Sequence, residues 1–174
     1  YMIKKLLTIA CGALMMTSTP AYGEGHSSGM PGEAWTYRKG MRFGYNYSNK
    51  AEESDRLASP HMFGMGFEMQ QTMAGGDWLD LLFIQNIMIS GVEQSVIIPT
   101  VNALVGFEIN KSLQVGVGIN GSIYDSSGND NFIHLISAIG WTQEAGTFSV
   151  PIHFVYVPDI NGYYRFAVTT GVNW

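Results

Sequence analysis

The chain has 174 residues, 46% of them hydrophobic and 13% charged, with a net charge of −5 and one cysteine, Cys11. The charged share is about half that of an average globular domain, and the acidic balance without any basic cluster argues against nucleic acid as a partner. Beyond the N-terminus no apolar run is long enough for a transmembrane helix; apolarity is spread thinly instead, with 21 Gly and 13% aromatic residues, the balance of a membrane β-barrel.

Residues 1–23 read as a secretory signal peptide. Lys4 and Lys5 form a positive region, 6–16 is apolar, and Pro20 precedes Ala21-Tyr22-Gly23, which places small residues where a signal peptidase reads. The apolar run is too short for a membrane anchor. A lipoprotein site at Cys11 would leave Leu14, Met15 and Met16 in the mature chain. Tyr1 precedes Met2, as an artefact of the reading frame would. Cleavage after Gly23 leaves about 150 residues, enough for one domain, and no cysteine. A secreted chain of this size without disulfides needs another constraint, and a closed sheet in a membrane is one. Residues 24–34, rich in Gly, Ser and Pro, form a flexible periplasmic leader, and 35–174 the barrel.

Eight strands are predicted in chain order. The first covers 35–47, with Met41, Phe43, Tyr45 and Tyr47 on one face and Arg42, Gly44 and Asn46 on the other. A charged, irregular loop over 49–60 leads to strand two, 61–73, where Phe63, Met65, Phe67 and Met69 alternate with Gly64, Gly66, Glu68 and Gln70. Ala74-Gly75-Gly76-Asp77 is a tight turn. Strand three, 78–90, is the least clear: Leu79, Leu81, Phe83, Ile87 and Ile89 share a face, but Leu82, Ile84 and Met88 occupy the opposite one. After a loop at 91–94, strand four runs to Asn110, with Val101, Ala103, Val105, Phe107 and Ile109 alternating with Thr100, Asn102, Leu104, Gly106 and Glu108; Pro99 sits near its outer end.

Asn110-Lys111-Ser112 is a short turn. Strand five is the cleanest, with Leu113, Val115, Val117, Ile119 and Ile123 against Gln114, Gly116, Gly118, Asn120 and Ser122. A polar loop spans 125–131. Strand six, 132–142, puts Ile133, Leu135, Ile139 and Trp141 together, and 143–146 turns the chain. Strand seven, 147–157, gathers Phe148, Val150, Ile152, Phe154 and Tyr156; a loop at 158–162 precedes the last strand.

Short turns alternate with a longer or more varied set of connections, the outer-membrane rhythm. An even strand count places both ends in the periplasm. Backbone groups in lipid must all be paired, so the sheet has to close. In a soluble periplasmic ligand-binding β-barrel the apolar face would point inward. Strand five argues against it, because its other face is Gln, Gly, Gly, Asn and Ser, without the Lys or Glu of a soluble surface.

The C-terminal strand carries a resemblance. Tyr164, Phe166, Val168, Thr170, Val172 and Trp174 share a face with an aromatic at each end. This resembles the C-terminal signal by which Gram-negative outer-membrane barrels are recognised for assembly. With its strand number and turn rhythm, the chain is similar in architecture to the small OmpA/OmpX-type barrels. The resemblance implies an all-β, eight-stranded antiparallel up-and-down transmembrane barrel in the cell outer membrane. It implies contact with outer-membrane lipid and lipopolysaccharide, and with the barrel assembly machinery during biogenesis. It also implies a structural, surface-interaction or narrow-pore role, including passage of a small apolar solute.

Four charges point inward by parity: Arg42, Glu68, Glu108 and Arg165. Strands one and eight are neighbours once the barrel closes, and a buried charge requires a partner, so an Arg–Glu network in the lumen is expected. Inner-face glycines at 64, 66, 106, 116, 118, 140 and 171 leave a narrow cavity or relieve crowding. The alternative class is a lipid A-modifying outer-membrane enzyme. Lipid A deacylases carry His and Ser two residues apart; His134 and Ser137 are three apart and face opposite sides, so that activity is not carried over. His26, His61, His134 and His153 are too scattered for a metal site. No catalytic residue, cofactor or metal is expected.

Overall fold

The computed structural model describes residues 37–49, 57–122, 133–158 and 162–174. The predicted signal peptide, the leader, Trp35 and the loop at 125–131 lie outside them. Eight strands close into one antiparallel barrel in sequence order: β1 Tyr37–Ser48, β2 His61–Gly75, β3 Leu79–Ser90, β4 Ile98–Ile109, β5 Leu113–Ser122, β6 Ile133–Ala145, β7 Phe148–Pro158 and β8 Tyr164–Asn173. Closure is made by β1 and β8, paired from Gly40↔Asn173 to Ser48↔Arg165, and extended by Lys39 and Trp174, whose backbones exchange two hydrogen bonds of 3.2 and 2.8 Å. Among the described residues every strand is therefore paired on both sides, which is what a bilayer demands.

Alternation sets which way each side chain points. In β1 and β2, Met41↔Phe67, Phe43↔Met65 and Tyr45↔Phe63 are directly opposite, and all six are exposed. A slip of one residue would turn this whole set into the lumen. The outer surface is accordingly apolar: Val117, Ile119, Ile139 and Phe154 are 59, 56, 51 and 57% exposed. The large buried side chains are instead Arg42, Gln70, Glu68 and Glu108, with Leu82 and Ile136. Inside and outside are therefore exchanged relative to a water-soluble barrel. Ten to twelve residues at about 3.3 Å each, tilted by about 40°, span roughly 25–30 Å, the height of a hydrocarbon core. No helix among the described residues is long and apolar enough to cross; strands do so.

The rim carrying both strand termini has the tight turns. Three residues, Asn110, Lys111 and Ser112, join β4 to β5; Asn110 and Lys111 both adopt positive φ, 51 and 56°, the backbone sense that matches strand twist in a tight hairpin. Gly146, at φ 69°, turns β6 into β7. The predicted turn at Ala74 begins later, because β2 runs to Gly75 through a bulge between Thr72 and Ala74. At the opposite rim, Gly91 and Ser95 in left-handed conformations flank a short 3-10 turn, Val92–Gln94. Exposed Trp78, Trp141, Trp174 and Phe148 ring the terminal rim. Tyr47, Tyr156, Tyr164 and Phe166 cluster at the loop rim, with Tyr156 and Phe166 stacked at 4.9 Å. Rings at both interfaces with aliphatics between them are the girdles of a membrane barrel. The outer face of β1 carries Lys39 as well as the predicted Met41, Phe43, Tyr45 and Tyr47; Lys39 lies close to the terminal rim, where its long stem allows the ammonium to reach water.

The ambiguous third strand has a simple resolution. Leu79, Leu81, Phe83, Ile87 and Ile89 face out, while Leu82, Ile84 and Met88 are buried in the lumen. Both faces are apolar because the lumen itself contains an aliphatic layer.

Candidate functional site

The lumen is built in layers by cross-strand registers. Nearest the terminal rim lies a charged and amide layer. Arg42 from β1 and Glu68 from β2 are each 1% exposed and form an ion pair, and Gln70 Nε2 donates to the same Glu68 oxygen at 2.8 Å. Arg42 Nη1 also donates to the Pro151 carbonyl at 3.3 Å. Gln114 of β5 joins the two sides. It exchanges hydrogen bonds with Gln70 at 3.3 and 3.4 Å and donates to Glu108 Oε1 at 2.8 Å. Its Oε1 lies 2.7 Å from His153 Nε2; an amide oxygen only accepts, so that ring nitrogen carries the hydrogen. His153 Nδ1 is 3.8 Å from Glu68 Oε2. Arg38 closes the layer from below, 2.8 Å from Glu108 and 3.5 Å from Glu144, while Lys111 meets Asp80 at 2.5 Å.

Above it is the aliphatic layer: Leu82, Ile84, Leu104, Ile136 and Val157, with Ala138 and Val155 against them. Registers explain the grouping, since Ile84 pairs with Leu104, Leu104 with Gly118, and Gly118 with Ile136. Next comes an amide ladder in which Asn86, Asn102 and Asn120 are consecutive cross-strand partners. Asn102 donates to Asn86 at 2.5 Å, Asn120 donates to Asn102, and Arg165 donates to Asn120 at 2.6 Å. Leu57, Met62 and Ile98, with Val96, form an apolar lid of side chains beneath the loop rim. Between the charged layer and this lid is a cavity of about 90 Å³, lined by both the aliphatic layer and the amide ladder.

The four charges singled out in the sequence do not form one network. Arg42 and Glu68 meet. Glu108 joins their layer through Gln114, but its cation is Arg38, which sequence reasoning passed over although it shares parity with Arg42. Arg165 belongs to the amide ladder, on the other side of the aliphatic layer. Its register partner Ser48 places it near the loop rim, away from both glutamates. His153, far from any acid in the chain, has Glu68 brought to it by β2. Of the C-terminal face, Phe166, Val168, Val172 and Trp174 are exposed and Tyr164 is partly covered by its neighbouring rings. His134 faces inward and Ser137 outward, on opposite sides of β6. Among the described residues no group of three His, Cys, Asp or Glu could hold a metal ion.

Similar solved structures include the Yersinia pestis outer membrane protein Ail in a phospholipid bilayer nanodisc, at 11% identity and a TM-score of 0.42, covering 78% of this chain and 99% of that one. Another is the crystal structure of Ail, the attachment invasion locus protein of Yersinia pestis, in complex with the heparin analogue sucrose octasulfate, at 10% identity and 0.44, covering 79% and 97%. No family model matches the chain, and no curated protein does.

Proposed function

We propose that this chain is a non-catalytic integral barrel of a Gram-negative outer membrane, closed to ions along its axis, whose role is structural or exercised at the cell surface. The reading rests on the charged and amide layer. Arg42, Glu68, Gln70, Glu108 and Gln114 are all buried and hydrogen-bonded to one another across the barrel. A barrel of eight strands has an interior only wide enough for side chains to fill, and these side chains fill it. The terminal rim then faces the periplasm and the loop rim the exterior, the topology in which tight turns are periplasmic. A pore would need this layer to open; an enzyme would need a nucleophile and base within reach, and His153 contacts an amide and a carboxylate instead.

Planar-bilayer recording tests the closed lumen. The purified protein is expected to give no steady ohmic step, while replacing Arg42, Glu68, Gln70 and Gln114 together by Ser or Ala is expected to produce one. A steady conductance in the unmodified protein would overturn the plugged reading. Comparing lipid A acyl chains from cells with and without the protein tests the absence of catalysis; a difference in acylation would make it an enzyme.

A further inference from the structure

The floor of the lumenal cavity carries hydrogen-bonding groups that do not satisfy one another. Arg42 and His153 both line the cavity, and both are buried. Arg42 Nη2 donates to Glu68 and Nη1 to the Pro151 carbonyl at 3.3 Å, while Nε, also a donor, has no hydrogen-bond partner among the described residues. Pro151 is two residues before His153 on the inner face of β7, so the contact that holds the guanidinium also brings it beside the imidazole. Glu108 can only accept, which orients the Gln114 amide: its nitrogen faces Glu108 and its oxygen faces His153 Nε2 at 2.7 Å. Nε2 therefore carries the ring hydrogen, and in the neutral ring Nδ1 is an acceptor. Nδ1 lies 3.8 Å from Glu68 Oε2, beyond hydrogen-bond reach, and a carboxylate oxygen is an acceptor too. The floor thus presents one donor without an acceptor, and two acceptors facing each other with no hydrogen between them.

We propose that this floor is a binding site for a single structural water, which accepts from Arg42 Nε–H and donates to His153 Nδ1 and Glu68 Oε2. The inference deepens the closed-lumen reading and rests on the charged and amide layer being packed as described. Water meets all three demands at once, since it both accepts and donates twice. Buried waters make about three hydrogen bonds to polar groups that are otherwise unsatisfied, the number offered here. A gap of 3.8 Å between two polar atoms is one that a water closes from the side. Space is available, since the cavity of about 90 Å³ exceeds the roughly 10–15 Å³ that one water-sized sphere needs. Other occupants fit less well. An anion would accept from Arg42 but meet two further acceptors, and a cation would meet those acceptors but be repelled by the guanidinium. An apolar group would leave all three atoms unpaired. The site is confined to the floor, because the wall above is aliphatic, with Ile84, Leu104, Ile136 and Val157. Bound there, the water joins β7 to the Arg42–Glu68 pair, which His153 otherwise reaches only through Gln114 and Gln70.

Magnetisation transfer from water tests this on the full barrel in dimyristoyl phosphatidylcholine nanodiscs, with the protein deuterated at carbon and isotope-labelled at nitrogen. In the rotating frame, dipolar transfer from a bound water has the opposite sign to chemical exchange. Arg42 Nε–H is expected to show the dipolar sign. The long-range nitrogen–proton spectrum of the His153 ring is expected to show a hydrogen on Nε2 and a bare Nδ1. His153→Phe keeps a planar ring and removes both nitrogens, and the transfer at Arg42 Nε–H is expected to disappear with it. Persistence of that transfer would place the water away from the imidazole and overturn the bridge. If the variant fails the heat-dependent gel shift that reports folding, the spectra of the unmodified protein decide alone. Transfer to Arg42 Nε–H that is absent, has the exchange sign or comes from lipid methylenes overturns the proposal. So does a hydrogen on His153 Nδ1, which would let the ring bond Glu68 directly. A steady conductance in planar bilayers would instead sink the closed-lumen reading itself, whatever these spectra show.

Discussion

Neutralising Glu68 isolates the main electrostatic term in the lumen. Glu68 and Arg42 are both 1% exposed. At about 4 Å between charge centres and an effective dielectric of about 20, their attraction is ~4 kcal/mol. Glu68→Gln keeps the volume and removes the charge, leaving the buried Arg42 guanidinium with neutral acceptors alone, the new amide oxygen and the Pro151 carbonyl at 3.3 Å. Removing one member of such a pair costs about 3–5 kcal/mol, because the remaining charge keeps its desolvation penalty. Replacing both, as Arg42→Met with Glu68→Leu, removes the penalty with the charge and is expected to return most of that loss. Urea unfolding from lipid vesicles, followed by the fluorescence of the four tryptophans, measures all three variants. A coupling of about 2 kcal/mol or more in the double-mutant cycle is expected. If Glu68→Gln lies within about 1 kcal/mol of the parent protein, the pair is hydrated rather than buried, and the argument from desolvation is refuted.

Two neighbouring glycines should respond in opposite ways. An alanine at Gly118 brings its Cβ to 2.7 Å from Leu104 Cα, against 3.5 Å for the nearest atom at Gly116; Gly118→Ala is expected to cost about 1–3 kcal/mol and Gly116→Ala to be neutral or stabilising by up to ~1 kcal/mol, read from the same unfolding curves. Arg38→Ala removes the cation of buried Glu108 and is expected to destabilise by about 2 kcal/mol, less than Glu68→Gln because Arg38 is 21% exposed and Gln114 still donates to Glu108. Trp174→Ser is expected to lower the fraction of protein reaching the heat-modifiable, folded form in cells while leaving refolding in detergent intact; equal loss in both would make Trp174 a folding residue rather than an assembly signal.

Strand alternation was legible wherever only one face is apolar. Lipid selects every second residue in β5 and β7, so Val115, Val117 and Ile119, or Phe148, Val150 and Ile152, announce their orientation without any partner. β3 hid its orientation because Leu82 and Ile84 meet Leu104 and Ile136 inside, and a two-sided apolar strand has no period-two signal. Charge partners were harder to read. Parity showed that Arg42, Glu68, Glu108 and Arg165 turn inward, but height along the axis depends on the stagger between strands. That stagger sends Arg165 to the amide ladder and brings Arg38 to Glu108. The signal for Arg38 was present: it lies four residues before Arg42, on the same face, and the inward amides Gln70 and Gln114 were available as its link to the rest.

Which side of the wall meets lipid is measured most directly by nitroxide labels on single cysteines replacing Val117, Ile139 and Phe154, in bilayers, with oxygen and a nickel chelate as paramagnetic relaxers. All three residues are more than half exposed on the outer surface. The account predicts mobile labels with high oxygen and low nickel accessibility, a ratio that peaks at mid-belt. Immobile labels closed to both reagents would mean that these side chains pack in a core, and labels open to nickel that they face water; either result contradicts it.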